Sequence, residues 1–322
     1  MTKSAAVLAV FLATFFASPF PALAADGPPE WAYLPSNPPN LKLAPDDGVP
    51  RRVPNSSASY TVTQLRDRFV APVWYPQEHP PLPPVVAQGR KPDVFACGFC
   101  HRADGPGGPE NSALAGLPAA YIVQQMNDYK SGARTTAVPK RNVDLMIGLA
   151  KAATNEEIAA AAAYFSALKP RQHTRVVETD TVPKTYIIAN HYVALPSGEK
   201  EPIGKRIVEV PDDIEQFQKR DTHSRFTAYV PVGSVARGEV LVRTGGGGKT
   251  LPCITCHGPD LRGVGQIPGI AGRSTNYTVR QLYDIKHGFR AGMAAVLMKD
   301  VVARLEEEDM IAIAAYLASR AP

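Results

Sequence analysis

The chain has 322 residues, 44% of them hydrophobic, which is enough for two or three cored domains and excludes disorder throughout. A formal charge of +5, from 35 Lys+Arg against 30 Asp+Glu, gives no support to nucleic-acid binding. Residues 1–24 carry Lys3, an apolar run from Ala5 to Phe16, and Ala22-Leu23-Ala24 as a small-residue cleavage site. They read as a secretory signal, with the mature protein starting at Ala25. No later stretch offers the roughly eighteen consecutive apolar residues of a membrane span, so the expectation is an exported, periplasmic protein without a transmembrane anchor.

Residues 25–84 form a proline-rich N-terminal arm, with Pro28, Pro29, Pro35, Pro38, Pro39, Pro45, Pro50 and Pro54 early and Pro80, Pro81, Pro83 and Pro84 late. Proline fixes φ and removes a donor, so an extended arm lying over a folded body is expected. Tyr60 to Phe69 can form a short helix between the clusters. The two tryptophans, Trp31 and Trp74, both lie in the arm and are suited to pin it to the two helical domains that follow.

Residues 85–170 contain Cys97-Gly98-Phe99-Cys100-His101. Two cysteines three apart on one turn can form thioethers with the two vinyl groups of a haem, and the adjacent histidine is placed to ligate the iron. C-x-x-C alone also serves zinc sites and thioredoxin-like centres. The segment ends in a helix expected over 155–168, capped by Thr154 and stopped by Pro170. Alternating patterns around Thr185 to Ile188, Arg206 to Val210 and Phe226 to Val230 predict short strands, making 171–233 a small β-rich insert. Residues 234–322 begin with a helix capped by Ser234 and pass a Gly245 to Gly248 run that lacks the spacing of a phosphate loop. They then repeat the motif as Cys253-Ile254-Thr255-Cys256-His257, and close with a helix over 306–319. The two motifs use all 4 cysteines, and haem attachment accounts for both histidines where a disulfide framework does not.

A shift of 156 residues, which carries Cys97 onto Cys253, also pairs Asp104 with Asp260, Ala115-Gly116 with Ala271-Gly272, and Tyr121 with Tyr277. The same shift pairs Gln125 with Gln281, Asp128 with Asp284, and Arg134 with Arg290. The chain is an internal duplication. Beyond Arg134 a four-residue adjustment pairs Leu145-Met146 with Leu297-Met298. Thioether sulfur is a soft neutral donor suited to haem iron. The expected iron ligands are therefore His101 and Met146 in the first copy and His257 and Met298 in the second, with Met293 the competitor there. Met126 and Met310 read as core filling. His79, His173, His191, His223 and His287 lack counterparts in the repeat and read as structural.

Both halves resemble class I cytochrome c domains, and the pair is similar to the tandem di-haem cytochromes c of bacteria. The matching pieces are Cys97 to Gly105 with Leu114-Ala115-Gly116, and Cys253 to His257 with Pro268 to Gly272. The resemblance implies a mainly α fold of two such domains, joined by the insert and preceded by the arm. It also implies two covalently attached c-type haems. In that family a proline carbonyl commonly meets the proximal histidine. Pro268 matches, whereas Ser112 stands at the equivalent place, so another backbone carbonyl is expected to serve His101. Pro92 interrupts the helix that usually leads into the attachment turn.

The leading functional expectation is an electron carrier without catalytic residues, passing single electrons between a dehydrogenase or quinol-oxidising complex and an acceptor such as a terminal oxidase. The alternatives are a haem enzyme, either a peroxidase or a sulfur-compound oxidoreductase with one displaceable axial ligand, and a cytochrome subunit of a dehydrogenase complex.

Overall fold

A computed structural model describes residues 27–36 and 45–322; the leader expected over 1–24 lies outside the described residues. Among the described residues no helix is long and apolar enough to cross a membrane. The arm enters with a 3₁₀ turn at Glu30–Ala32 and then forms α1 (Val62–Arg66), where Thr61 and Gln64 make a reciprocal capping box. The short α2 (Pro84–Ala87) takes the place of a longer helix before the first attachment turn, consistent with the break expected near Pro92. The turn itself is α3 (Cys97–His101), followed by α4 (Ala119–Ser131), α5 (Arg141–Ala152) and α6 (Asn155–Ala167). Thr154 caps α6 in a capping box with Glu157, as its sequence predicts. Val86, Val94, Leu117, Ala162 and Phe165 form the core of this copy.

The insert contributes β1 (Thr174–Glu178), β2 (Thr181–Pro183), β3 (Thr185–Ile188), β4 (His191–Ala194), β5 (Lys200–Pro202), β6 (Val208–Pro211), α7 (Ile214–Gln218) and β7 (Phe226–Val230). Its central sheet has the order β1-β7-β6, with β1 parallel to β7 and β6 antiparallel to it; β3 pairs with β4 and β2 with β5. The buried Glu209 carboxylate fastens this sheet to the second copy. It accepts from the hydroxyls of Ser274 and Thr275 and from the Asn276 amide at 2.7, 2.8 and 3.1 Å. These groups open a helix, where an anion is favoured by the unpaired amides and the macrodipole.

The second copy comprises α8 (Ser234–Thr244), α9 (Ile254–His257), the hairpin β8 (Gly263–Val264) and β9 (Ile267–Pro268), α10 (Thr275–Lys286), α11 (Met293–Val302) and α12 (Glu307–Ala318). Ser234 is not the cap expected of it. Gly233, with φ of 85°, holds the cap position, and Ser234 is the first helical residue with no capping hydrogen bond from its side chain. The helix α12 is buried along nearly its whole length because α8, α10 and the strands β1 and β7 all pack on it.

The crossing of α8 and α12 depends on Gly238, where an added Cβ would collide with the Ala312 carbonyl and crowd Tyr316. Glycine to alanine inside a helix ordinarily stabilises. Here the sign should reverse: Gly238→Ala is expected to cost roughly 1–3 kcal/mol through overpacking, read as a lower urea midpoint. A raised midpoint would show that the crossing can spread at no cost.

Candidate haem-binding clefts

Each attachment turn presents its histidine to a backbone carbonyl. His101 Nδ1 lies 2.8 Å from the Ser112 carbonyl oxygen, and His257 Nδ1 lies 2.8 Å from that of Pro268. The first of these corrects the expectation that a different carbonyl must replace the missing proline's. The accepting group is the backbone oxygen at the equivalent position, which any residue supplies provided the loop keeps its path. A carbonyl can only accept, so Nδ1 carries the proton and Nε2 keeps its lone pair for a metal. Both imidazoles are buried, and burial, opposed by these carbonyl bonds, holds each below the ordinary histidine range. Neutral imidazole is the form that ligates iron.

The first copy has an amphipathic cleft beside its attachment turn. One end is lined by Cys97, Cys100, His101, Leu114, Ile122 and Phe165 and is apolar. The other shares His101, Leu114 and Ile122 but opens onto Tyr121, Gln125, Arg134, Lys140 and Arg280, with the carboxyls of Glu110 and Asp284 there already engaged by His191 and Tyr33. This fits a haem, which presents an apolar vinyl edge and an anionic propionate edge. Lys140 is buried, and burial depresses its ammonium to about 7, so an anion at this end would be well matched to it. Met146 lines both ends of the cleft, and so does Met126, which its position in the repeat had placed among core fillers. In the second copy Met298 packs into the core cluster that also contacts Cys253, Ile254 and Ile270, whereas Met293 is 79% exposed. Met310 is buried in that core, as expected.

The remaining histidines have structural partners. His79 Nδ1 lies 2.9 Å from the Pro80 carbonyl, His191 pairs with the buried Glu110, His223 meets Glu78 at 2.9 Å, His173 lies 3.3 Å from the Ser224 carbonyl, and His287 stacks on Tyr283.

Between the copies the duplicated residues converge around a pseudo-two-fold axis. Arg134 and Arg290 form an antiparallel bridge, and each guanidinium crosses to the other copy. Arg134 donates to Tyr277 and Gln281 at 3.0 and 2.9 Å and to its own Gln125 at 2.7 Å. Arg290 donates to Tyr121 and Gln125 at 2.7 and 2.8 Å and to its own Gln281 at 3.2 Å. Burial would push the Tyr277 phenol up, but the Arg134 and Arg290 guanidiniums outweigh it and bring the phenol down to about 8. Since Tyr121, Gln125 and Arg134 also line the first cleft, the same network forms that cleft's polar wall and the contact between copies.

The spaced thiols, the neutral imidazoles and the amphipathic cleft together meet the requirements of covalent haem binding. Among known proteins, a family model described as cytochrome c matches residues 236–321. The chain is 30% identical over 234 residues to a thiosulfate dehydrogenase electron acceptor of Thiomonas intermedia, covering 71% of this chain and 80% of that one. It is 26% identical over 226 residues to cytochrome c4 of Pseudomonas aeruginosa, covering 69% and 82%. A solved thiosulfate dehydrogenase (TsdBA) from Marichromatium purpuratum aligns at 29% identity and a TM-score of 0.49, over 73% of this chain and 39% of that one. The chain belongs to the tandem di-haem class I cytochromes c. It is accordingly a haem-binding electron-transport protein.

Two outcomes follow from this geometry. Replacing Arg134 or Arg290 singly by Met should cost about 1.5–3 kcal/mol in urea unfolding, the range for hydrogen bonds to a charged group. The double variant should depart from additivity by about 0.5–3 kcal/mol, because both arginines share Gln125 and Gln281; strict additivity would contradict a shared network. The second outcome concerns Asp104, which accepts from Arg171 at 2.6 Å. Burial, opposed by Arg171, lifts its carboxyl to about 6. The folded state then binds this proton more tightly than the unfolded chain, so its stabilising contribution is full below about pH 4 and is lost as pH rises through about 6. Measured against Asp104→Asn, the wild type should lose stability between pH 4 and 7, by at most about 3 kcal/mol. A difference independent of pH would contradict the assignment.

Proposed function

We propose that the protein is a periplasmic di-haem electron carrier that accepts single electrons from a dehydrogenase partner and passes them to a second redox protein. Its haems would be held by Cys97 and Cys100 in the first copy and by Cys253 and Cys256 in the second. The axial ligands would be His101 with Met146, and His257 with Met298. The observation that carries this reading is the occurrence of the Nδ1–carbonyl bond in both copies, each at 2.8 Å, in spite of different residues beneath it. The relative whose name identifies it as a thiosulfate dehydrogenase electron acceptor favours a donor that oxidises a sulfur compound. The proposed working units are residues 85–170 and 234–322, with the arm over 25–84 and the insert over 171–233.

When bound, haem supplies a one-electron Fe(III)/Fe(II) couple whose potential responds to axial ligand, hydrogen bonding and burial. The chain's own contribution is positional. Ser112 and Pro268 hold the imidazole tautomer and ring orientation through their carbonyls, which also raises imidazole basicity. Leu114, Ile122 and Phe165 keep water from the first cleft, and Lys140 and Arg134 supply positive charge at its polar end. A neutral methionine sulfur on the far side would raise the potential relative to a second histidine. Since no group is positioned to attack a substrate in this scheme, the reading is of a carrier rather than an enzyme.

The ligand assignments are tested by the near-infrared sulfur-to-iron band of the oxidised protein. Met298→Ala should remove the second haem's share of the band while Met293→Ala leaves it intact. Met146→Ala should remove the first haem's share while Met126→Ala leaves it intact. Loss of band with Met293→Ala or Met126→Ala instead would move the corresponding assignment. Rapid carbon monoxide binding by the reduced wild type would contradict six-coordination and favour an enzyme with a displaceable ligand.

A further inference from the structure

The two attachment turns, equivalent in sequence, differ in what lies on them. In the second copy Thr255 and Cys256 are exposed, as are Pro259 and Asp260 just beyond. In the first copy the corresponding Phe99 is only 7% exposed, Cys100 is half-buried, and residues 102–105 are all buried. The cover comes from the two segments that the duplication does not explain. From the arm, Ala71 packs with Ala96 and Phe99, and a Cβ added at Gly98 would strike the Ala71 methyl. The Ala96 amide donates to the Arg68 carbonyl at 2.9 Å, which holds the arm against the entry to the turn.

From the insert comes Arg220, two residues beyond the end of α7. Its Nε donates to the Leu65 carbonyl in the arm and its Nη1 to the Phe99 carbonyl in the turn, both at 2.8 Å. Its guanidinium lies 3.6 Å over the Phe99 ring, close enough for a cation–π contact. The planar fork of arginine allows two carbonyls and a ring to be engaged at once, which lysine cannot do. Next to it, Trp74 of the arm donates from its indole to the Lys219 carbonyl at 3.0 Å. Arm and insert thus clasp each other across the turn.

We propose that Arg220 fastens the arm to the insert over the Cys97–His101 turn, closing the thioether edge of the first haem to solvent and to partner proteins and leaving the Cys253–His257 turn open to them. This rests on the reading that both turns carry haem. It gives the arm and the insert a shared purpose, namely to make two duplicated haems unequal in access. It also places the Arg220 guanidinium over the ring of Phe99, where positive charge and a drier edge disfavour the ferric state, so Arg220 should raise the first haem's potential.

The test uses the full holoprotein, with covalent haem at both turns verified by mass in every sample. Hydrogen exchange should be at least tenfold slower for peptides covering 95–104 than for those covering 251–260. Arg220→Ala should raise exchange in 95–104 and in the arm around 62–75 by tenfold or more, leave 251–260 unchanged, and lower the first haem's potential. Arg220→Lys, the variant that serves if alanine prevents folding, should keep the charge and most of the potential while still raising exchange in 95–104. Equal exchange at the two turns of the wild type, or an unchanged 95–104 in both variants, would overturn the closure. Loss of haem from either turn of the wild type would instead overturn the di-haem reading on which it rests.

Discussion

Two like-charged guanidiniums facing each other across a buried interface repel, and the oxygens that accept from them must offset that cost; this constraint organises the centre of the molecule. Arg134 and Arg290 are held by Tyr121, Gln125, Tyr277 and Gln281, with each arginine reaching into both copies. A charged donor left without its acceptors in a buried site costs several times what the hydrogen bond contributes when made. The interface therefore tolerates little slippage, and whatever the first cleft binds is registered against the second copy by the same side chains. The arm adds to this fixation: Tyr33 donates to Asp284 at 2.7 Å and Arg280 donates to the Ala32 carbonyl at 2.9 Å.

The second organising feature is asymmetry laid over the duplication. The two histidines make the same bond, yet residues 102–105 beyond His101 are all buried whereas Pro259 and Asp260 beyond His257 are exposed. Glu110 and His191 form a buried pair between that loop and β4, and Arg102 sits over the Phe217 ring of α7. A buried carboxylate such as Glu110 is retained in a protein interior when it has a partner, and here the insert supplies that partner to the first copy. Duplication supplies two equivalent attachment turns, and the arm and the insert pack on the first of them.

Much of this was legible in the sequence because the informative positions are local or repeated. The C-x-x-C-H spacing is a single turn of chain, the capping box at Thr154 and Glu157 is four residues, and Phe226–Val230 forms the strand that its alternation indicates. The repeat goes further, since it marks Tyr121, Gln125 and Arg134 and their partners as one set, which the fold brings together. Other features were not legible for definable reasons. The Ser112 carbonyl belongs to the backbone, so the side chain there carried no information about it. Gly233 displaced Ser234 as cap through a positive φ that spacing does not reveal. Trp74 meets the insert at Lys219 rather than a helical domain, and Arg220 meets Leu65 and Phe99, contacts that join residues more than a hundred positions apart. Met126 shares the cleft with Met146 because α4 and α5 both face it, which no pairing within the repeat could show.

In the function proposed for this protein, each of the two attachment turns holds its own haem. That assignment is tested most directly by fragment mass spectrometry of the purified protein. The account predicts one haem mass on a peptide containing Cys97 and Cys100 and one on a peptide containing Cys253 and Cys256, with no disulfide in either. A haem on only one of them, or a Cys97–Cys100 or Cys253–Cys256 disulfide in the mature protein, would contradict it.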